Sequence, residues 1–190
     1  FYKMKKNILF IALITLLSVN CYSQFSKTHY IPPVGGSENV PAEEQYLYVS
    51  TPSITPVNFI IKQLGGTTIS GVVSRDVPYV YNIGFGTFTQ IHVNESEIGN
   101  VLNNKGFIIE AEDLVYVTAR IIAGNTNQAG QITSKGTAAL GTRFRAGGFL
   151  NTLIPGYNAN NLTFISVLAT ENNTTVNFSD IPTDAVLINN

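Results

Sequence analysis

Tyr46-Leu-Tyr-Val-Ser-Thr-Pro-Ser-Ile-Thr-Pro-Val-Asn-Phe-Ile-Ile-Lys-Gln-Leu-Gly-Gly-Thr-Thr-Ile-Ser-Gly-Val-Val73 holds three runs of β-branched and aromatic residues, cut apart by Pro and Gly. Tyr46–Ser50, Pro56–Ile61 and Thr67–Val73 read as strands, because such side chains pack well on a pleated surface and turn-forming residues bound each run. Leu64-Gly65-Gly66-Thr67 reads as a hairpin connection, where Gly supplies the positive φ that a tight reversal needs. Outward from there the pattern continues over Tyr79–Ile83, Thr89–Val93, Gly106–Glu110, Leu114–Ala123, Leu162–Ala169 and Thr174–Phe178. Glu110–Asp113, between two of these runs, reads as the tip of a second hairpin. Strand-like segments at this spacing predict an all-β chain, an antiparallel β-sandwich-like domain. Charged residues are only 12% of the chain, too few to surface a set of amphipathic helices, and Ser96–Leu102 is the one short helix expected.

Ahead of the strands, Lys5 and Lys6 precede an apolar run from Ile8 to Leu17, and a polar stretch from Ser18 to Ser23 follows. That order is the pattern of a secretory signal peptide. A membrane span needs about 20 apolar residues, so no span is expected once the signal is removed. The chain reads Phe1-Tyr2-Lys3 before Met4, so the first three residues are taken as non-native and residues 1–23 as the signal. Cys21 and Ser23 suit a cut before Gln24. Lipidation of Cys21 is the alternative, disfavoured by Ser18 and Asn20, where Leu and a small residue are preferred. Residues 24–190 are then an extracellular β-rich domain. The strand-like end Ala185–Ile188 lacks a closing turn, so a domain truncated at its C-terminus, continued by further strands, is expected.

Cys21 is the one cysteine of the chain, which excludes an internal disulfide and leaves the apolar core to hold the fold. Without Lys3, Lys5 and Lys6, 8 basic residues face 12 acidic ones, a net charge of −4 with His neutral. That balance disfavours nucleic acid, whose binders need clustered Lys and Arg.

Chemistry-bearing constellations are sparse. His29 sits in a Pro-bounded N-terminal segment, and His92 alternates with Ile91 and Val93, so that it is expected to point outward. Neither has the nucleophile and carboxylate context of a hydrolytic triad, and no Gly-x-Ser-x-Gly elbow is present. Zinc is disfavoured by the lack of Cys and of paired His. Calcium has one weak candidate, Glu110, Glu112 and Asp113, set against the plainer reading of a solvated acidic turn. Glycosidase-type pairs, Glu110 with Glu112 or Glu95 with Glu97, lie too close in sequence to flank a bond from opposite sides. No cofactor is expected. Gly84–Thr87 and Ala146–Phe149 lack the Lys and helix of a phosphate loop and read as turns. Arg143 and Arg145, alternating about Phe144, read as charges guarding a strand edge. Tyr46, Tyr48, Tyr79 and Tyr81 are candidate platforms for stacking sugars, against the alternative of core and cross-strand packing. Val49–Phe59 also aligns without gaps on Leu168–Phe178, matching at Thr51/Thr170, Thr55/Thr174, Val57/Val176, Asn58/Asn177 and Phe59/Phe178. Duplication and two hairpins under the same turn constraints both account for it.

Three segments, Phe25–Pro33, Asn104–Val117 and Ser166–Val176, together with Ala139-Leu-Gly-Thr-Arg-Phe144, resemble the N-terminal region of large secreted surface proteins of Bacteroidetes that end in a gliding-motility-associated C-terminal sorting domain. That region is in turn similar to the IgGFc-binding-protein N-terminal domain. The resemblance implies type IX secretion and a secreted or cell-surface location on a Gram-negative bacterium. It also implies partners among neighbouring domains of the same protein, extracellular glycans or surface proteins. It transfers no catalytic residue, and no residue supports carrying over IgG binding. The expectation from sequence is a non-catalytic, non-enzymatic adhesion or structural module from the N-terminus of a larger protein. The alternative is a carbohydrate-binding module or the substrate-binding part of a secreted hydrolase.

Overall fold

The computed structural model describes residues 24–36, 42–123, 128–147 and 164–181. Nine strands are described: β1 (Ser26–Ile31), β2 (Val34–Gly35), β3 (Glu44–Ser50), β4 (Val57–Gln63), β5 (Thr68–Val73), β6 (Tyr79–Gly84), β7 (His92–Val93), β8 (Phe107–Ala123) and β9 (Gln128–Thr133). No α-helix occurs among the described residues, so the all-β expectation holds. Seven strands form one curled antiparallel sheet in the order β5-β4-β8-β3-β6, with β1 and β9 also paired to β8. β2 and β7 make a small parallel pair.

β8 organises the fold. Its first part pairs with β4 over Phe107–Ala111, and its second with β3 over Tyr116–Ile122. Between them the strand changes partners, and the β1 pairing slips from Thr28↔Glu110 to Ser26↔Val115. Such an irregularity bends a strand and re-aims it. Glu110–Asp113 is therefore a bend within one long strand, not the hairpin tip expected from its charges. Carbonyls freed from the ladder at the bend need other donors. Lys27 Nζ donates to the Glu112 carbonyl at 2.6 Å, Thr51 Oγ1 to Leu114 at 2.7 Å, and His29 Nε2 to Val115 at 2.8 Å.

Bending β8 folds the two halves of the sheet onto one core. Leu47 and Val49 of β3, Val57, Phe59 and Ile61 of β4, and Phe107, Ile109, Val115 and Val117 of β8 are all buried. Alternation accounts for it: in each strand every second residue points inward. The Leu64–Thr67 hairpin forms as expected, with Gly65 at φ 70° and Gln63 N–H bonded to the Thr67 carbonyl at 3.1 Å.

Several expectations are corrected. Of Thr89–Val93 only His92–Val93 is strand, and the expected helix is a single 3-10 turn, Glu95–Glu97, where Glu97 Oε2 accepts the Asn94 N–H at 3.2 Å. Residues 164–181 and 141–147 contain no strand, so neither the Leu162–Ala169 and Thr174–Phe178 strands nor an Arg143/Arg145 strand edge is present there. The internal repeat consequently builds β3, a turn and β4 in its first copy but not in its second. The signal region 1–23, Cys21 and the Ala185–Ile188 run lie outside the described residues.

Candidate functional site

The four tyrosines do not form one platform. On β3, Leu47 and Val49 take the core side, so Tyr46 and Tyr48 face outward, their ring centroids 6.2 Å apart. Across the ladder Tyr46 stands opposite Arg120 and Asn82, and Tyr48 opposite Thr118 and Val80. The Glu44 carboxylate, which accepts the Tyr46 hydroxyl at 3.3 Å, pushes that phenol's pKa up and keeps it a donor. Nearby, hydrogen bonds with Thr118 and Thr133 hold the Tyr116 phenol below its usual range. On β6 the phase is opposite. Tyr79 meets Phe59 edge-on at 5.0 Å, and Tyr81 meets Phe107 at 6.4 Å while its hydroxyl accepts Gln63 Nε2 at 2.8 Å. Tyr79 and Tyr81 pack against the core and are unavailable as an open stacking surface.

The acidic candidates are tied into the sheet. Glu110 bonds Lys62 at 2.6 Å across a half-exposed pair, worth about 0–1 kcal/mol. Glu112 Oε2 accepts Asn58 Nδ2 at 2.8 Å, and Asp113 is exposed at the bend. No three metal-ligating side chains gather among the described residues. Of the three calcium candidates, Glu110 and Glu112 engage separate partners on β4, Lys62 and Asn58. His92, expected to point outward, is buried against Gly36, whose position leaves no room for a Cβ beside the imidazole. His29 is fully buried; Nε2 donates to the Val115 carbonyl, and Nδ1 has no hydrogen-bond partner among the described residues. Burial lowers its pKa, and the carbonyls of Val115 and Ser26 only partly offset this.

A site that the sequence reading missed lies at the 85–91 loop. Gln63, Gly65, Ile83, Phe88, Thr89, Gln90, Asn104 and Lys105 line a shallow concavity of about 420 Å³. Phe88 is 96% exposed at its edge. The loop carrying it is held from beneath. Buried Gln45 donates to the carbonyls of Ala42 at 3.0 Å and Gly86 at 2.8 Å, and accepts the Thr89 hydroxyl at 2.5 Å. Gln90 Nε2 reaches the Leu64 and Asn104 carbonyls at 2.7 and 2.9 Å, and Lys105 Nζ donates to the Thr89 carbonyl at 2.8 Å. Gly86 at φ 76° makes the turn. A Gln45→Leu substitution keeps the size of the side chain and leaves these partners unpaired in the interior. It is expected to cost about 1–3 kcal/mol. Hydrogen exchange should show the loss of protection concentrated in residues 85–91, with β4 and β8 little changed.

A scan against family models finds no match to this chain, and no curated protein matches it. Among solved structures, one described as the crystal structure of Thermotoga maritima 1070 is similar at 9% identity, covering 59% of this chain and 97% of that chain. Its TM-score of 0.35 is too low to carry an argument about fold or function.

Proposed function

We propose that this chain is a non-catalytic extracellular adhesion module from the N-terminal part of a larger surface protein. The observation that carries the reading is how the polar groups are distributed. The two histidines are buried, and Glu110 and Glu112 are bonded to neighbouring strands. Phe88, meanwhile, stands exposed on a firmly anchored loop beside amide side chains. Recognition sites are built this way, with a rigid scaffold presenting an aromatic ring and a few convergent polar groups. The signal-peptide pattern of Lys5, Lys6 and the apolar run Ile8–Leu17 supports an extracellular setting, as does the resemblance of Phe25–Pro33 and Asn104–Val117 to secreted Bacteroidetes surface proteins. A substrate-binding role inside a secreted hydrolase is the second reading, favoured by the same concavity. Beads coated with the chain should be retained on whole cells or extracellular matrix more than beads coated with an unrelated β-sandwich. Equal retention of both would sink the adhesion reading.

A further inference from the structure

Phe88 poses a physical question, since an aromatic ring left in water forgoes the burial that would stabilise it. Its loop is not loosely placed, because Gln45, Gln90 and Lys105 fix six backbone carbonyls and the Thr89 hydroxyl around it. The ring is therefore presented, not merely left over. What surrounds it narrows the partner. Three of the eight lining residues, Gln63, Gln90 and Asn104, carry amides, which suit hydroxyl groups better than an apolar side chain. Lys105 is the single charged lining residue. Its ammonium spends one donor on Thr89 and meets no carboxylate among the described residues.

From this juxtaposition we infer that the concavity beside Phe88 binds an anionic sugar within an oligosaccharide. One pyranose face stacks on the Phe88 ring, hydroxyls pair with Gln63 and Asn104, and a carboxylate or sulfate sits at Lys105. The inference rests on the adhesion reading and gives it a ligand class. A pyranose matches the site because it combines an apolar C–H face with a rim of hydroxyls, and the added anion answers the uncompensated ammonium.

The test is calorimetric titration of the full secreted chain with three probes: oligogalacturonides, their methyl-esterified neutral counterparts, and sulfated galactans of equal length. Binding of either anionic probe, with the ester roughly tenfold weaker, is expected; which anionic probe binds tells carboxylate from sulfate. Phe88→Ala should weaken that binding roughly tenfold while leaving the melting temperature unchanged, since the ring is exposed. Lys105→Gln keeps a donor for the Thr89 carbonyl and should reduce affinity for the acid to that for the ester. Binding should also fade as salt approaches 1 M, where screening acts within about 3 Å. No binding to either anionic probe, equal binding to the ester, or binding indifferent to Phe88→Ala overturns the proposal. A chain that still adheres to cells but ignores all three sugars sinks this inference and spares the adhesion reading. A chain that does neither sinks both.

Discussion

Substituting Gly71 with Val is expected to destabilise the domain by about 1–3 kcal/mol, through overpacking alone. Gly71 faces Phe59 directly across the β4–β5 ladder, and a Cβ there would come within 3 Å of several atoms of that ring. The ring cannot retreat. Phe59 is 3% exposed, and it already packs against Tyr79 in an edge-to-face contact with centroids 5.0 Å apart. A glycine inside a strand normally weakens it, so its presence here marks the close approach of a neighbour. Phe59→Ala should cost more, about 3–5 kcal/mol, because it empties the space between β4 and β6. The pair should be coupled: Gly71→Val made together with Phe59→Leu should cost less than the sum of the two single changes. Urea denaturation of the four proteins measures this. Strict additivity would show that the Gly71–Phe59 contact does not set the packing of this edge.

His29 should make stability depend on pH. Its neutral ring satisfies the Val115 carbonyl at the β8 bend, and a proton added at Nδ1 would find no acceptor among the described residues. Burial therefore lowers the folded pKa below the ordinary 6.5. As pH falls past 6.5 the unfolded chain takes up a proton that the folded chain does not yet bind, so stability must decline. The contribution is complete above pH 6.5 and is lost as pH falls through the folded pKa. The urea midpoint of the wild type is expected to drop between pH 7.5 and 5.5. His29→Gln, less stable at neutral pH, should show a shallower drop. A wild-type midpoint that stays flat or rises over that range contradicts the role given to His29.

The strand content was legible because β3, β4, β5 and β6 alternate apolar and polar residues between Pro- and Gly-bearing turns. The core faces of β3 and β4 follow from that pattern. β1 was hidden by its polar makeup, Ser26-Lys27-Thr28-His29, since a buried His bonded to a strand carbonyl resembles a surface His in sequence. β9, Gln128–Thr133, offers only Ile132 as a large apolar residue and owes its place to pairing with β8. The bend in β8 looked like a hairpin tip because charges mark a change of direction, whichever kind it is. Neither tyrosine pair could be assigned a face from spacing alone. Tyr46/Tyr48 and Tyr79/Tyr81 have the same i, i+2 pattern, and the faces are decided by which strand neighbours claim the core. Phe88 carried no signal, since exposure is a tertiary property and its anchor Gln45 lies far away in sequence.

The claim of binding without catalysis is tested most directly by incubating the protein with reducing-end-labelled acidic and neutral polysaccharides. Bound ligand is then recovered and its chain length measured. The account predicts ligand retained by the protein and recovered at its original length, with no new reducing ends at any protein concentration. New reducing ends that disappear on changing one carboxylate, Glu110→Gln or Glu112→Gln, would contradict it and place this chain among the hydrolases.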